Sequence, residues 1–340
     1  SDAAAAPPPF TTTPPVSFLA VVDPNHFLPR TYEWNAAAEK TLGRADVITI
    51  TYLGAAGRKL MQQDIYIAPN PNFTGEFDVM RNGTDSSYNA LQFQFRHRIS
   101  HGLQALVSYT WAHAIDDASS DAYYLNVPPG YSSLDRASSD YDIRQTFSGA
   151  VSYYIPSPGK GIWKSIFGNW STDFIVYART APPVNVVTGL NPFPGTALSG
   201  ASSVQRPNLV PGVPLWIANP NVAGGMEINR AAFTIPTGAA QGDLGRNALR
   251  GFGATQVDFG LRRQFALSER FSLQASADMF NIFNHPNFGT PVNYLNSPLF
   301  GQSTLMLNTW LGSGGQNGGL NPLYQIGGPR SVQLALKLIF

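Results

Sequence analysis

The final ten residues, Ser331-Val-Gln-Leu-Ala-Leu-Lys-Leu-Ile-Phe340, decide the fold. Val332, Leu334, Leu336, Leu338 and Phe340 fall on one side of an extended chain, and Ser331, Gln333, Ala335 and Lys337 on the other. A period of two marks a β-strand with one apolar face. In water, such a strand ending on a bare aromatic invites edge-to-edge aggregation. In a closed membrane barrel both edges are paired, the apolar face meets lipid, and a terminal aromatic sits at the interface. Leu336, Leu338 and Phe340 therefore read as the terminal signal of a barrel strand.

The same alternation recurs upstream. Leu91, Phe93 and Phe95 oppose Gln92, Gln94, Arg96 and Arg98 in 88–100. Leu103, Ala105, Val107, Tyr109 and Trp111 oppose Gln104, Ser108 and Thr110 in 102–115. Val257, Phe259, Leu261, Arg263 and Phe265 oppose Gln256, Asp258, Arg262 and Gln264 in 254–266. Phe271, Leu273, Ala275, Ala277 and Met279 oppose Ser272, Gln274, Ser276 and Asp278 in 269–284. Further strands are expected at 29–42, 45–56, 143–156, 168–180 and 331–340. Tight connections at 42–45, 100–102, 156–161 with a short continuation, and 267–269 alternate with long ones at 57–87, 116–142, 181–253 and 285–330. Short periplasmic turns alternating with long outer loops are the outer-membrane barrel pattern.

Composition agrees. The 340 residues are 43% apolar and 13% charged, whereas a soluble domain is about 25% charged. No apolar run approaches the roughly 18–20 residues of a membrane helix. The 32 Gly and 27 Pro disfavour long helices. A net charge of +1 gives no reason to expect a nucleic-acid partner. The absence of cysteine excludes thiol catalysis, disulfides and cysteine metal sites.

The expected fold is all-β: an antiparallel transmembrane β-barrel segment of about nine to ten strands at 29–340, preceded by an extended Pro-rich outer-loop tail at 1–28. The loop order makes 331–340 run from outside to periplasm, and 29–42 with it. Bacterial barrels normally have even strand numbers, so further strands are expected upstream. The start of the chain shows no export signal, which suggests a mature or truncated chain.

Site candidates are few. Asp116, Asp117, Asp121, Asp135 and Asp140, with Asp142, form the densest carboxylate region and are weak calcium candidates on an outer loop. A solvated loop with strand-end ion pairs is the plainer reading. Arg96, Arg98, Asp173, Asp258, Arg262, Asp278 and Lys337 are expected to face the lumen, as a strand-holding polar network in preference to an anion guide. Trp34, Tyr109, Trp111, Tyr153, Trp170, Tyr177 and Phe340 are candidates for aromatic girdles. No G-x-S-x-G, HExxH or phosphate loop occurs, so no enzyme activity, cofactor or catalytic residue is expected.

Several segments together resemble a known family: Arg30-Thr-Tyr-Glu-Trp-Asn35, Thr51-Tyr-Leu-Gly-Ala-Ala-Gly-Arg-Lys-Leu60, Ser87-Tyr-Asn-Ala-Leu-Gln-Phe-Gln94 and Val107-Ser-Tyr-Thr-Trp-Ala-His-Ala-Ile-Asp-Asp117. Downstream follow Ser139-Asp-Tyr-Asp-Ile-Arg144, Gly245-Arg-Asn-Ala-Leu-Arg-Gly251, Asp278-Met-Phe-Asn-Ile-Phe-Asn-His285 and Asn287-Phe-Gly289. From about Pro29 to Phe340 the chain resembles the carboxyl-terminal barrel region of TonB-dependent outer-membrane receptors. The likeness is specifically to the Oar-like group, whose full-length members begin with a carboxypeptidase-regulatory-like domain. The resemblance implies a plugged barrel of about 22 strands, TonB as partner, location in the bacterial outer membrane, and uptake or binding of a ligand too large for porins. That ligand is a small molecule, peptide or oligosaccharide of unknown identity. Neither a plug, a TonB box nor the regulatory-like domain is found in these 340 residues. Two alternatives stand beside transport: a structural or adhesive outer-membrane surface protein, and a soluble all-β binding module whose apolar faces are buried in a sandwich.

Overall fold

A computed structural model describes residues 13–67, 70–119, 135–157, 161, 167–190, 205–238, 240–311 and 326–340. Among them seventeen strands are formed. They are β1 Val16–Val22, β2 Arg30–Leu42, β3 Asp46–Ile67, β4 Phe73–Ser100, β5 Leu103–Asp116, β6 Ala137–Ser138, β7 Gln145–Tyr154 and β8 Trp170–Arg179. After these come β9 Pro183–Val184, β10 Asn208–Leu209, β11 Trp216–Ala218, β12 Met226–Ile228, β13 Phe233–Thr234 and β14 Leu249–Arg250. The last three are β15 Ala254–Ala266, β16 Ser272–Phe280 and β17 Ser331–Ile339.

Eleven of these share one sheet: nine follow one another antiparallel in the order β17-β16-β15-β8-β7-β5-β4-β3-β2, with β1 beside β4 and β6 beside β5. Side chains directly opposite across an antiparallel pair share a face. One row can be followed through all nine strands: Val332, Met279, Phe259, Phe174, Val151, Ala105, His97, Asp46 and Leu42. The adjacent row on the other face reads Gln333, Asp278, Gly260, Asp173, Ser152 and Gln104. One face is thus predominantly apolar and the other polar. Among the described residues no second layer covers the apolar face, and Leu334 and Leu336 are 77% and 73% exposed. This overturns the sandwich alternative, which would bury them. Apolar surface of this extent needs a nonaqueous neighbour, and hydrocarbon supplies one.

On that face the Trp34 ring lies flat across Gly54 of the next strand. A Cβ at Gly54 would fall 2.1 Å from the ring. An aromatic covering a strand glycine restores apolar area that the glycine lacks.

Two segments differ from the sequence reading. The range 57–87, expected as a loop, is mostly strand: β3 continues to Ile67 and β4 begins at Phe73. Lys59 has φ 53°, and the register shifts between Gly57 and Met61. This bulge interrupts the period of two and hides the continuing strand. The expected tail at 1–28 contains β1, which pairs in parallel with β4 from Val16↔Phe73 to Val22↔Met80. β5 reaches along β4 only to Ser86, so β1 covers an edge that is otherwise bare. From β1 the chain crosses to the far side of the hairpin. Asn82 fixes the crossing, accepting from the Phe27 amide at 2.6 Å and donating to the Phe27 carbonyl at 2.9 Å.

Short turns at 43–45, 101–102 and 267–271 lie at one end of the sheet. At the other end, parts of 181–253 and 285–330 fold into a lobe with its own core of Val184, Val186, Ile228, Ala232, Phe233, Leu244, Leu249, Leu295 and Phe300. Three small antiparallel pairs frame it, β9 with β14, β10 with β13, and β11 with β12. The loop-bearing end is the outer one, since periplasmic turns are short.

Candidate functional site

The outer lobe is joined to the sheet by buried ion pairs. β5 ends at Asp116, and the chain returns through Ser139-Asp-Tyr-Asp-Ile-Arg144 into β7. Gly245-Arg-Asn-Ala-Leu-Arg-Gly251 packs against this return. Arg246 donates to both the Asp116 carbonyl, at 3.0 Å, and the Asp116 carboxylate. Its side chain is fully buried, and its second carboxylate neighbour, Asp140, is 3.9 Å away. Asn247, with φ 55°, donates to the Ser138 carbonyl at 2.8 Å and to Asp140 Oδ1 at 2.6 Å. Asparagine tolerates this left-handed conformation better than most residues. Arg250 donates to the Asp142 carbonyl and carboxylate, both at 2.6 Å. A third buried pair joins Arg206 to Asp135 at 2.9 Å.

Burial pushes the Asp142 carboxyl upward, but the Ala114 amide, Arg250 and Arg144 outweigh it and hold the group below the ordinary carboxylate value. Asp135 goes the other way. Its burial dominates over the Arg206 hydrogen bond and raises it above the ordinary value.

The acidic region is therefore largely occupied from within. Asp116 and Asp140 meet Arg246, and Asp135 meets Arg206. Asp117 accepts from the Asp85 amide at 2.7 Å and from Arg136 at 3.3 Å. Asp121 lies outside the described residues. A hard cation needs six to eight oxygen ligands, whereas these oxygens converge on guanidinium and amide donors. Among the described residues no group of three or more carboxylate or imidazole side chains is gathered for a metal ion.

The proposed lumen residues separate into groups. Arg262 donates to Asp173 and, at 3.5 Å, to Asp278, and Ser152 donates to Asp173 at 2.5 Å. Asp258 accepts from Gln256 and from the Asn281 amide, each at 2.8 Å, and so fixes the end of β16. Arg96 and Lys337 stand on the polar face opposite Leu106 and Gln274, respectively, with Arg98 two residues beyond Arg96 toward the turn. Leu336 and Leu338 are on the apolar face. Of the girdle candidates, Tyr177 is misplaced: it sits opposite Gln256 and Ser148 on the polar face, because strand alternation outranks its aromatic character.

Sequence reasoning missed the partners of the acidic loop, namely Arg206, Arg246, Asn247 and Arg250. It also missed two buried asparagines. Asn281 donates to the carbonyls of His285 and Gly328, and Asn287 exchanges hydrogen bonds with the Thr255 backbone at 2.8 and 3.0 Å. These side chains replace backbone pairing where the outer lobe leaves the sheet. The one available signal was the recurrence of Asn and Arg within the segments already quoted as motifs.

A sheet bare on one apolar face, with tight turns at one end and a folded lobe at the other, is the wall of a membrane β-barrel. The outer membrane beta barrel domain family matches residues 2–313, and the chain belongs to that family. It is a protein of the bacterial outer membrane. Its fold is similar to the outer membrane transporter YddB from Escherichia coli, with a TM-score of 0.53 at 7% identity, covering 95% of this chain and 34% of that one. The FrpB iron transporter from Neisseria meningitidis aligns with a TM-score of 0.45 at 8% identity, over 94% of this chain and 33% of that one. The chain thus spans about a third of the length of these solved structures. A comparison with curated proteins finds no match.

Proposed function

We propose that the chain forms part of the wall and outer lobe of a TonB-dependent outer-membrane transporter of the Oar-like group. In this reading the lobe contacts a ligand too large for porins, and TonB drives uptake through a plug and remaining wall not contained in these residues. One observation carries the reading: the long outer connections fold around their own core and are tied to the wall by buried Arg–Asp pairs. Such preorganisation suits ligand contact, since ordering loops on binding costs affinity. The motifs quoted above support the group assignment, and the likeness to YddB supports the architecture.

The test compares two strains of the source bacterium, one lacking the coding region of this chain and one lacking TonB. Each is offered labelled ferric siderophores, cobalamin, oligosaccharides and peptides. Transport predicts loss of the same compound in both. Uptake left intact throughout, with surface attachment lost, favours the adhesive alternative.

A further inference from the structure

Two arginines face each other at the outer rim of the lipid side. Arg30 opens β2, and its cross-strand partner on β3 is Arg58. Trp34, four residues further along β2, lies on the apolar face. The period of two puts Arg30 on that face as well, and Arg58, directly opposite, with it. Depth follows from strand length. β2 has thirteen residues from Arg30 to Leu42 at the short-turn end. At about 3.3 Å per residue and a tilt of about 40° they rise ~30 Å, whereas the apolar band of such a wall is ~25 Å tall. The pair therefore stands at headgroup level, above the exposed rings of Trp34, Tyr52 and Trp111 on the same face.

Like charges directly opposite one another destabilise a sheet. Nothing among the described residues neutralises this pair. Arg58 donates Nη1 to the Gly57 and Ser86 carbonyls at 2.8 and 2.9 Å, which holds its guanidinium against the wall but supplies no counter-charge. Both arginines are exposed, and among the described residues neither has an ion-pair partner and the Arg30 side chain makes no hydrogen bond. The neighbouring carboxylate, Asp85, accepts from the Lys59 amide at 3.2 Å. Lys59 adds a third positive charge, its ammonium 3.9 Å from the centroid of the Phe27 ring. Arg30, Arg58 and Lys59 thus outnumber Asp85. A guanidinium fork matches two phosphate oxygens, and a phosphate monoester carries about −1.5 to −2 charges at pH 7. One such group complements both arginines, whereas a phosphodiester leaves one charge unmet. A lipid presents its phosphate at this height, with its chains along the apolar face below.

We propose that Arg30 and Arg58 together clamp the phosphate monoester of a lipid in the outer leaflet. The inference rests on the lipid-facing assignment of the apolar face and is independent of transport. The test uses the intact protein, delipidated in dodecyl maltoside and titrated with dioctanoyl phosphatidic acid, with the first bound lipid read by native mass spectrometry. The wild type should bind it more tightly than dioctanoyl phosphatidylglycerol, a diester. Arg30→Gln and Arg58→Gln should each weaken phosphatidic acid binding by about tenfold, one charge-assisted contact being lost. Arg30→Lys should fall between. Arg270→Gln, an equal charge loss in the short turn at the opposite end, should leave affinity unchanged. Dioctanoylglycerol, which lacks phosphate, should bind all variants alike. In lipid-free detergent Arg30→Gln should unfold at the wild-type urea concentration or higher, because only a like-charge neighbour is removed. A lower midpoint there would mean that Arg30 is paired within the protein, and overturns the proposal. So does affinity of Arg30→Gln within twofold of wild type, equal loss in Arg270→Gln, or equal affinity for the diester. Competition by inorganic phosphate at the lipid's own concentration would reduce the rim to a general anion site and overturn the lipid assignment. Should Arg58→Gln lose its sheet signal in circular dichroism, Arg30→Gln alone decides, since that side chain holds no hydrogen bond among the described residues.

Discussion

Replacing Arg246 with methionine is expected to release the outer lobe from the wall while leaving the wall itself formed. The Arg246 side chain is fully buried, and that of Asp116 is 9% exposed. Methionine keeps most of the volume, so the cavity contribution is small. What remains is a carboxylate without its cation, together with the Asp116 carbonyl that Arg246 had satisfied. Breaking a buried pair by removing one partner costs about 3–5 kcal/mol. The cost falls on local opening of the lobe, because the sheet strands have their own ladders. Hydrogen exchange of the lobe amides, such as those of Leu244 and Gly251, should then accelerate by roughly 100- to 4,000-fold, up to the limit set by the lobe's own stability. Amides of β7 and β15 within the sheet should be unaffected. Adding Asp116→Leu to Arg246→Met removes the stranded charge and should restore much of the protection, since an apolar replacement of a whole pair is often neutral. As a contrast, Arg136 pairs with Asp117 at 3.3 Å with its own side chain 48% exposed, and such a pair contributes only about 0–1 kcal/mol. Arg136→Gln should therefore change lobe exchange little. Less than threefold acceleration in Arg246→Met, or equal acceleration throughout the wall, refutes the view that buried pairs hold the lobe.

The sidedness of the wall predicts an asymmetry in β17: Leu334→Lys should destabilise the protein in bilayers by about 2–4 kcal/mol if Leu334 lies near the midplane. Gln333→Lys, one residue away on the polar face, should be close to neutral in a urea titration in lipid vesicles. Gly54→Val places carbon atoms inside the Trp34 ring. The ring must leave, at a cost of about 1–3 kcal/mol for overpacking, readable as a shift in tryptophan emission and a lower urea midpoint. The pH dependence of the lobe follows from Asp142 and Asp135. The Asp142 carboxyl is held below 3.8, so its contribution is complete above 3.8 and is lost as pH falls through the lower folded value. Asp135 is raised above 3.8, so the folded state takes up its proton first, and acidification between the raised value and 3.8 opposes any loss. Lobe exchange should therefore hold steady on mild acidification and accelerate below pH 3.8, with Asp142→Asn flattening that acid limb.

The wall was legible because a membrane strand carries its environment in its own alternation. Ala254–Ala266 is found where the period of two placed it, and Leu103–Asp116 differs by a residue at each end. The signal failed where backbone geometry interrupts the period without ending the strand. Lys59, in a left-handed conformation, resets the register of β3, and the polar residues beyond it then read as a loop. β1 escaped for a different reason. The run Val16-Ser-Phe-Leu-Ala-Val-Val22 follows a proline-rich start and has no partner near it in sequence. Its partner, β4, begins more than fifty residues later, and only the bare edge left by the short β5 gives β1 a place to pair.

The outer junction was illegible in part because charge complementarity has no period. Asp116, Asp140 and Asp142 were visible as an acidic cluster, and such a cluster suggests a cation from outside. The cation is instead supplied by the chain, more than a hundred residues later, by Arg246 and Arg250. A guanidinium and a carboxylate far apart in sequence give no sign that they will meet until the loops around them have a core to fold on. Here that core is Val184, Ile228, Phe233, Leu249 and Phe300, scattered through two connections that read as irregular. The ion pairs and the core are mutually dependent. Burial makes the pairs specific, because a misdocked lobe leaves a charge stranded. The pairs in turn fix where on the wall the lobe sits, which apolar packing alone does weakly. Enlarging the core therefore should not compensate for a lost arginine. Ala232→Val, even if accommodated, would strengthen the lobe internally while leaving the Arg246→Met lobe detached from the wall.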